Sequence, residues 1–147
     1  IFEHIGEQTA RHFGSGAPGL VCEPGRAMAA EAFALATRVK AVRDAGPVFL
    51  NDGIYGGLFE TRDIGCGDRI RIVSSEGVPR TGRAVERIVF GPTCDSLDRL
   101  PDPLGLPEDL EEGDYILFEA MGAYSSSLAT RFNGYGLNDP VTVRRLI

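Results

Sequence analysis

The chain has 147 residues, of which 43% are hydrophobic and 24% are charged, so it is long enough for one globular domain with a core. The formal net charge of −6 argues against a surface that binds nucleic acid or an anionic membrane. No apolar run is long enough to span a bilayer. Three cysteines without a CxxC spacing suggest neither a disulfide framework nor a zinc site, so we expect a reducing, cytoplasmic setting.

The first third of the chain alternates helical and strand patterns. Helical periodicity predicts an amphipathic helix over residues 2–13, which a glycine ends. Residues 20–22 are predicted as a short buried strand, and the alanine-rich residues 25–32 as a short helix. Strict alternation of side chains predicts a strand over 33–41, and residues 48–50 follow as another strand after a turn.

The rest of the chain is rich in turns, with 19 glycines and 9 prolines overall. Residues 74–82 are predicted to form the hairpin between two strands, and residues 98–112 a proline-rich loop with a helical turn. Many short strands at this spacing favour a β-barrel or sandwich. The remaining predicted elements are strands over 69–73, 83–90, 115–119 and 141–146 and a short helix over 125–131.

A first candidate site is the run Glu23-Pro24-Gly25-Arg26, where a predicted strand ends and a helix begins. Free backbone N–H groups at such a position bind phosphate, and an arginine adds a bidentate charge. Gly25 would let the backbone approach a ligand closely, and Glu23 would face the other end of a bound ring. A surface ion pair beside a turn is the alternative interpretation of the same four residues.

A second candidate site is the run Gly91-Pro92-Thr93-Cys94-Asp95-Ser96-Leu97-Asp98, which follows a predicted strand. A partly exposed thiol beside a carboxylate suits proton transfer, although Asp95 would tend to raise the pKa of the Cys94 thiol. A buried cysteine that acts as a small apolar residue is the commoner alternative.

A third group consists of Gly122-Ala123-Tyr124 and Phe132-Asn133-Gly134-Tyr135. Alone, these residues predict a turn and core aromatics. In this order, however, the three groups resemble the C-terminal part of a fold-type III pyridoxal-phosphate-dependent decarboxylase of the ornithine, diaminopimelate and arginine decarboxylase family. The ornithine decarboxylase group is the most similar.

This resemblance implies a mainly β fold with some α structure. Residues 33–147 would form the C-terminal, Greek-key-like β-barrel domain of the alanine racemase and ornithine decarboxylase type. Residues 1–32 would be the last helix and strand of the preceding (α/β)8 barrel, which binds pyridoxal 5′-phosphate. The chain would then be the last third of a longer protein.

The resemblance also implies the cofactor-binding residues. Gly25, Arg26 and Tyr124 would hold the cofactor phosphate. Glu23 would pair with the pyridine nitrogen and keep it protonated, so that the ring accepts electrons more readily.

The remaining implied roles concern the substrate, a small cationic amino acid. Cys94 would return a proton to its α-carbon after decarboxylation, and Asp95 would bind its distal ammonium group. Tyr55 and Phe132 would lie beside the substrate, and Asp63 would be a second carboxylate. The Cys94 loop would reach into the partner subunit's site, which implies a homodimer.

Asp95 also bears on the substrate, because diaminopimelate decarboxylases typically carry glutamate after this cysteine. The substrate expected is therefore ornithine or lysine, converted to a diamine for polyamine biosynthesis, and one methylene does not decide between the two. Lys40 is the only lysine and is predicted on a solvated strand face, so we expect this chain alone to be inactive. The alternatives are a diaminopimelate decarboxylase, a non-catalytic regulatory homologue that acts by protein binding, and an unrelated β-barrel interaction module.

Overall fold

The structure, a computed structural model, describes residues 1–44, 46–136 and 139–144. These ranges are mainly sheet with few helices, as the sequence predicts. The α-helices are α1 (Phe2–Phe13), α2 (Gly25–Ala29), α3 (Thr61–Ile64) and α4 (Ser125–Leu128). The strands are β1 (Leu35–Val42), β2 (Val48–Leu50), β3 (Ile70–Val73), β4 (Ala84–Arg87), β5 (Val89–Phe90), β6 (Leu104–Pro107) and β7 (Tyr115–Phe118). Single 3₁₀ turns lie at Gly14–Gly16, Ala30–Ala32 and Phe132–Gly134.

Five of the strands form one sheet in the order β3-β7-β1-β2-β5, and β4 pairs with β6 in a second, two-stranded sheet. The pairs are antiparallel except for β2 and β5, which run parallel, with Val48 opposite Val89. The carboxyl ends of parallel neighbours lie at the same edge of a sheet. The loops that leave β2 and β5 therefore begin side by side.

The central strand β1 has the alternation that the sequence predicts. Thr37 and Val39 are buried, whereas Arg38 and Lys40 on the other face are exposed. A period of two is what a strand with one buried face requires. Lys40, the only lysine, therefore points away from the core.

The core is built by the strands and by the loops that follow β2 and β5. It extends from β1 to β7, and α1 contributes no buried residue to it. Its buried members are Val39, Val48, Leu50, Ile54, Leu58, Val89, Leu100, Leu104, Leu106, Leu110, Ile116 and Phe118.

The first 28 residues carry an exposed apolar surface instead. Phe2, Phe13, Leu20, Val21 and Met28 are each 58–89% exposed. No helix in the described part of the chain combines the length and the apolarity needed to cross a membrane.

The strand predicted at residues 20–22 is wrong. The segment is coil, with Leu20 58% and Val21 89% exposed. Strand structure requires backbone hydrogen bonds to a neighbouring strand, and none of the described strands pairs with this segment.

Residues 74–82 do not connect paired strands as predicted, because β3 pairs with β7 and β4 pairs with β6. The segment turns tightly on itself instead, with Ser74 N donating to Val78 O at 2.7 Å. Beyond the turn, Arg80 is fixed by the buried Asp114 carboxylate at 2.9 Å. This anchor lies 34 residues away in the sequence, so the local turn pattern gave no sign of it.

Three further predictions need correction. The strand predicted at 83–90 divides into β4 and β5, which lie in different sheets. The loop predicted at 98–112 contains β6, whose buried Leu104 and Leu106 alternate with Gly105 between prolines. Of the strand predicted at 141–146, residues 141–144 are not strand and the last two lie outside the described residues.

We expect Phe118→Ala to lower the free energy of unfolding of this chain by about 3–5 kcal/mol. The Phe118 side chain is 1% exposed in the middle of the core, so the substitution leaves a cavity. Urea unfolding followed by circular dichroism measures the change. Phe13→Ala should cost less than about 1 kcal/mol, because Phe13 is 60% exposed and its loss leaves no buried cavity. Equal losses in the two variants would contradict this description of the core.

Candidate active site

The loop that follows β5 carries the thiol and carboxylate that the sequence singled out, and it is closed by Asp98. The Asp98 side chain is 1% exposed. Its carboxylate accepts hydrogen bonds from Thr93 N at 3.0 Å, Thr93 Oγ1 at 2.7 Å and Ile54 N at 3.0 Å. Asp98 therefore fastens its own loop to the loop that follows β2.

Two glycines make this approach possible. A Cβ at Gly53 or at Gly91 would overlap the Asp98 carboxylate. Gly91 N also donates to Asp98 O at 2.8 Å, which closes the loop at its base. Residues with side chains at these two positions would force the loops apart.

The Asp98 carboxylate and its hydrogen bonds to Thr93 and Ile54, which we call the clamp, bring together residues that lie far apart in the sequence. Tyr55 OH donates to Asp95 Oδ2 at 2.6 Å, and the Tyr55 ring lies 4.6 Å from the Phe132 ring, centroid to centroid. Asn133 Nδ2 donates to Cys94 Sγ at 3.7 Å. We call Tyr55, Cys94, Asp95, Phe132 and Asn133 the thiol–carboxylate cluster.

The segment with Phe132 and Asn133 is held in place by Tyr55 itself. Thr130 N and Thr130 Oγ1 both donate to Tyr55 O at 2.8 Å. Asn133 adopts a left-handed backbone conformation with φ 53°, which asparagine tolerates better than most residues. The sequence gave Asn133 no role of its own, and its contact with the Cys94 sulfur, 39 residues away, had no local signal.

Electrostatics keep the carboxylate of this cluster ionised. The hydrogen bond from Tyr55, followed by that from Leu97 N, lowers the pKa of Asp95 below its ordinary value. The same bond to Asp95, together with desolvation, raises the pKa of Tyr55. Asp95 is only partly buried and Cys94 is exposed, so a ligand can reach both. The arrangement suits binding of a cation beside a thiol.

A second group of residues surrounds Arg26 in the first turn of α2. The Arg26 guanidinium carbon lies 5.2 Å from the centroid of the Tyr124 ring. Arg26 Nη2 is 2.5 Å from Glu60 Oε2, in the turn before α3. We call these three residues the arginine cluster.

Close backbone packing brings the arginine cluster together. A Cβ at Gly122 would overlap Ala29 O, and Gly122 N donates to Ala30 O at 2.9 Å. Only glycine at this position allows the segment with Tyr124 to lie against the end of α2. The tyrosine itself has a left-handed backbone, with φ 65°.

Members of the two clusters line different depressions. Arg26 and Glu60 line one, and Tyr55 and Phe132 line the other, with no lining residue in common. The structure thus brings Tyr55, Cys94, Asp95 and Phe132 together and, separately, Arg26 and Tyr124.

The other predicted site residues lie apart from these clusters. Glu23 and Gly25 are exposed next to Arg26 in the sequence. The Asp63 side chain is 66% exposed, and its ion contact is with Arg62 at 3.5 Å. Cys66 lines the depression beside Arg26, where burial raises the pKa of its thiol to about 11, so this thiol is unreactive at neutral pH.

We expect Asp98→Asn to destabilise the chain by about 2–4 kcal/mol, because one carboxylate oxygen that accepts from N–H groups becomes a donor. Urea unfolding measures the loss. Asp102→Asn, at an exposed aspartate in the same loop region, is the matched control and should change stability by less than about 0.5 kcal/mol. An equally small loss at Asp98 would show that its hydrogen bonds do not close the loop.

The Tyr55–Asp95 bond predicts a pH dependence. A depressed pKa at Asp95 means that its contribution to stability is present above the ordinary aspartate range and is lost as the pH falls through the folded value. A raised pKa at Tyr55 means that its contribution is lost only as the pH rises through that folded value. We therefore expect Tyr55→Phe to raise the pKa of Asp95, as measured by a carboxyl-carbon NMR titration. Tyr135→Phe is the control, and an Asp95 pKa unaltered by Tyr55→Phe would contradict the bond.

Comparison with known proteins supports the family suggested by these residues. Ornithine decarboxylase of Schizosaccharomyces pombe is 38% identical over 130 residues, which cover 79% of this chain and 29% of that protein. The chloroplastic ornithine decarboxylase of Nicotiana glutinosa is 34% identical, over 84% of this chain and 30% of its own length. The arginine decarboxylase of Paramecium bursaria Chlorella virus, solved with agmatine, matches with a TM-score of 0.69 and 33% identity, over 92% of this chain and 37% of that one.

This chain therefore spans about a third of the length of these relatives. A family model described as the C-terminal sheet domain of pyridoxal-dependent decarboxylases matches residues 19–122. The chain belongs to the pyridoxal-dependent decarboxylases of the ornithine, diaminopimelate and arginine decarboxylase family, whose C-terminal sheet domain it contains.

Proposed function

We propose that this chain is the C-terminal part of a decarboxylase that depends on pyridoxal 5′-phosphate and converts ornithine or lysine to a diamine and CO₂. The observation that carries the proposal is the 2.6 Å hydrogen bond that holds the Asp95 carboxylate beside the exposed Cys94 thiol. A fixed, ionised carboxylate binds an ammonium group, and a nearby thiol can deliver a proton.

The arginine cluster fits the phosphate end of the cofactor. Arg26 is 41% exposed in its side chain and presents a fork of donors, and the Tyr124 hydroxyl lies in the same cluster. When bound, the cofactor supplies an electron sink for the charge that remains after loss of CO₂. Arg26, Gly25 and Tyr124 would hold its phosphate, and the exposed Glu23 would face its ring nitrogen.

The thiol–carboxylate cluster would handle the substrate. Asp95 binds the distal ammonium group, Tyr55 keeps Asp95 oriented, and Phe132 covers the aliphatic part of the chain. Cys94 returns the proton to the α-carbon, with Asn133 directing its sulfur. For Asp63, the proposal of a second carboxylate rests on sequence resemblance alone, since its recorded contact is with Arg62.

The choice of substrate follows from Asp95 and from the relatives. Both curated relatives carry the name ornithine decarboxylase, and a diamine product would belong to polyamine biosynthesis. The viral structure is an arginine decarboxylase, so its scaffold holds a longer cation. We favour ornithine or lysine because a single aspartate beside an aromatic wall suits a compact ammonium group.

The separation of the two clusters supports a homodimer in which each active site draws on both subunits. The arginine cluster of one chain and the thiol–carboxylate cluster of its partner would then face the same cofactor. We further propose that residues 1–32 form the end of an (α/β)8 barrel, whose other elements would cover the exposed Phe2, Phe13, Leu20 and Val21, and that the enzyme is cytoplasmic.

The test uses the complete protein with added pyridoxal 5′-phosphate and measures CO₂ and diamine from ornithine, lysine, arginine and diaminopimelate. We expect turnover of ornithine or lysine. Asp95→Asn should lower kcat/KM about 100-fold, because the substrate ammonium loses its counter-charge. Cys94→Ala should release more CO₂ than diamine, because proton return to the α-carbon fails.

Two controls sharpen this test. Asp102→Asn, at an exposed aspartate outside both clusters, should retain full turnover. The 147-residue chain alone should release no CO₂, because its only lysine, Lys40, is exposed on β1. A folded, complete protein that turns over none of the four amino acids would contradict the proposal and favour a regulatory homologue that acts by binding.

A further inference from the structure

Glu60 places an acidic side chain next to Arg26, the proposed phosphate ligand. It lies in the turn before α3, and its side chain is only 18% exposed. Its Oε2 atom is 2.5 Å from Arg26 Nη2, on the guanidinium that we propose as the phosphate ligand. The sequence gave no role to this glutamate.

The contact between Glu60 and Arg26 is an ion pair. Glu60 Oε2 is buried and has no further hydrogen-bond partner among the described residues. Ser125 Oγ, also buried and without such a partner, lines the same depression. That depression has a volume of about 20 Å³, enough for one water molecule. The Arg26 side chain is 41% exposed, so a phosphate group can approach its guanidinium from solvent.

Glu60 therefore stays beside the guanidinium when a phosphate group binds. Arg26 contributes one positive charge, which Glu60 already balances, and the incoming phosphate carries nearly two negative charges. A carboxylate across the guanidinium repels that phosphate, and the repulsion is only partly screened because Glu60 is mostly buried. The orienting effect of Glu60 on Arg26 is smaller, since the Tyr124 ring already fixes the guanidinium from one face.

We infer that Glu60 is an internal counter-ion of Arg26 that weakens the grip of this site on a phosphate group and so sets the affinity for the phosphorylated cofactor. This inference rests on the proposed function, in which Arg26 holds the cofactor phosphate. Glu60 acts through Arg26 and is a positioning and affinity-setting residue rather than a catalytic one.

The test compares the complete apoprotein with its Glu60→Gln variant, which keeps the shape of the side chain and removes its charge. Isothermal titration with inorganic phosphate should show binding that is about fivefold tighter in the variant, as expected for loss of one mostly buried charge beside a partly exposed guanidinium. Pyridoxal 5′-phosphate should gain similarly, whereas pyridoxal, which has no phosphate, should bind both proteins equally. Glu108→Gln removes the charge from an exposed ion pair with Arg83 and should change neither affinity.

An Arg26→Ala background gives a second check, because Glu60→Gln should have no effect on phosphate affinity once the guanidinium is gone. Unchanged or weaker binding of inorganic phosphate by Glu60→Gln would overturn the inference. If the wild-type apoprotein still takes up pyridoxal 5′-phosphate, that result would contradict the inference about Glu60 but not the proposed function. Failure of both proteins to take up pyridoxal 5′-phosphate would remove the proposed function, and the phosphate titration would still decide the inference.

Discussion

A single buried carboxylate organises the candidate active site. Asp98 joins the loops that follow β2 and β5 through three hydrogen bonds, and it is 1% exposed. A buried charge is tolerated only where such donors surround it, so the loops cannot separate without a large cost. Gly53 and Gly91 complete the constraint, because a larger side chain at either position would occupy the carboxylate's place. The distance between Tyr55 and Asp95 follows from this clamp.

The sheet determines which loops the clamp can join. Because β2 and β5 are the one parallel pair among the described strands, their following loops start at the same edge. The arginine cluster arises at another place, where Gly122 brings the segment after β7 against the end of α2. The chain thus presents two chemically different surfaces: one with Arg26 paired to Glu60, and an anionic one beside a thiol.

The sequence predicted the features that local pattern controls. The alternation in β1 and the apolar run of β7 identified both strands, and the resemblance grouped Cys94 and Asp95 with Tyr55 across 40 residues. The sequence pattern did not predict β6, because prolines on both sides hid the alternation of Leu104 and Leu106. The second candidate run contained Asp98, but the burial of Asp98 and of Glu60 was not predicted, since acidic residues usually lie in solvent and only tertiary contacts reveal their burial. The strand prediction at residues 20–22 was wrong for the opposite reason. An apolar run predicts a strand, but no strand among the described residues pairs with this segment.

The central claim is that the two clusters belong to active sites shared between two copies of the protein. The most direct measurement mixes two inactive variants of the complete enzyme, Arg26→Ala and Asp95→Ala, under conditions that let subunits exchange, and then measures CO₂ release. In a shared-site dimer, each mixed dimer has one intact site, so activity should return to about a quarter of the wild-type level at equal mixing. If both clusters served a site within one chain, every site would keep one defect, and the mixture would stay inactive.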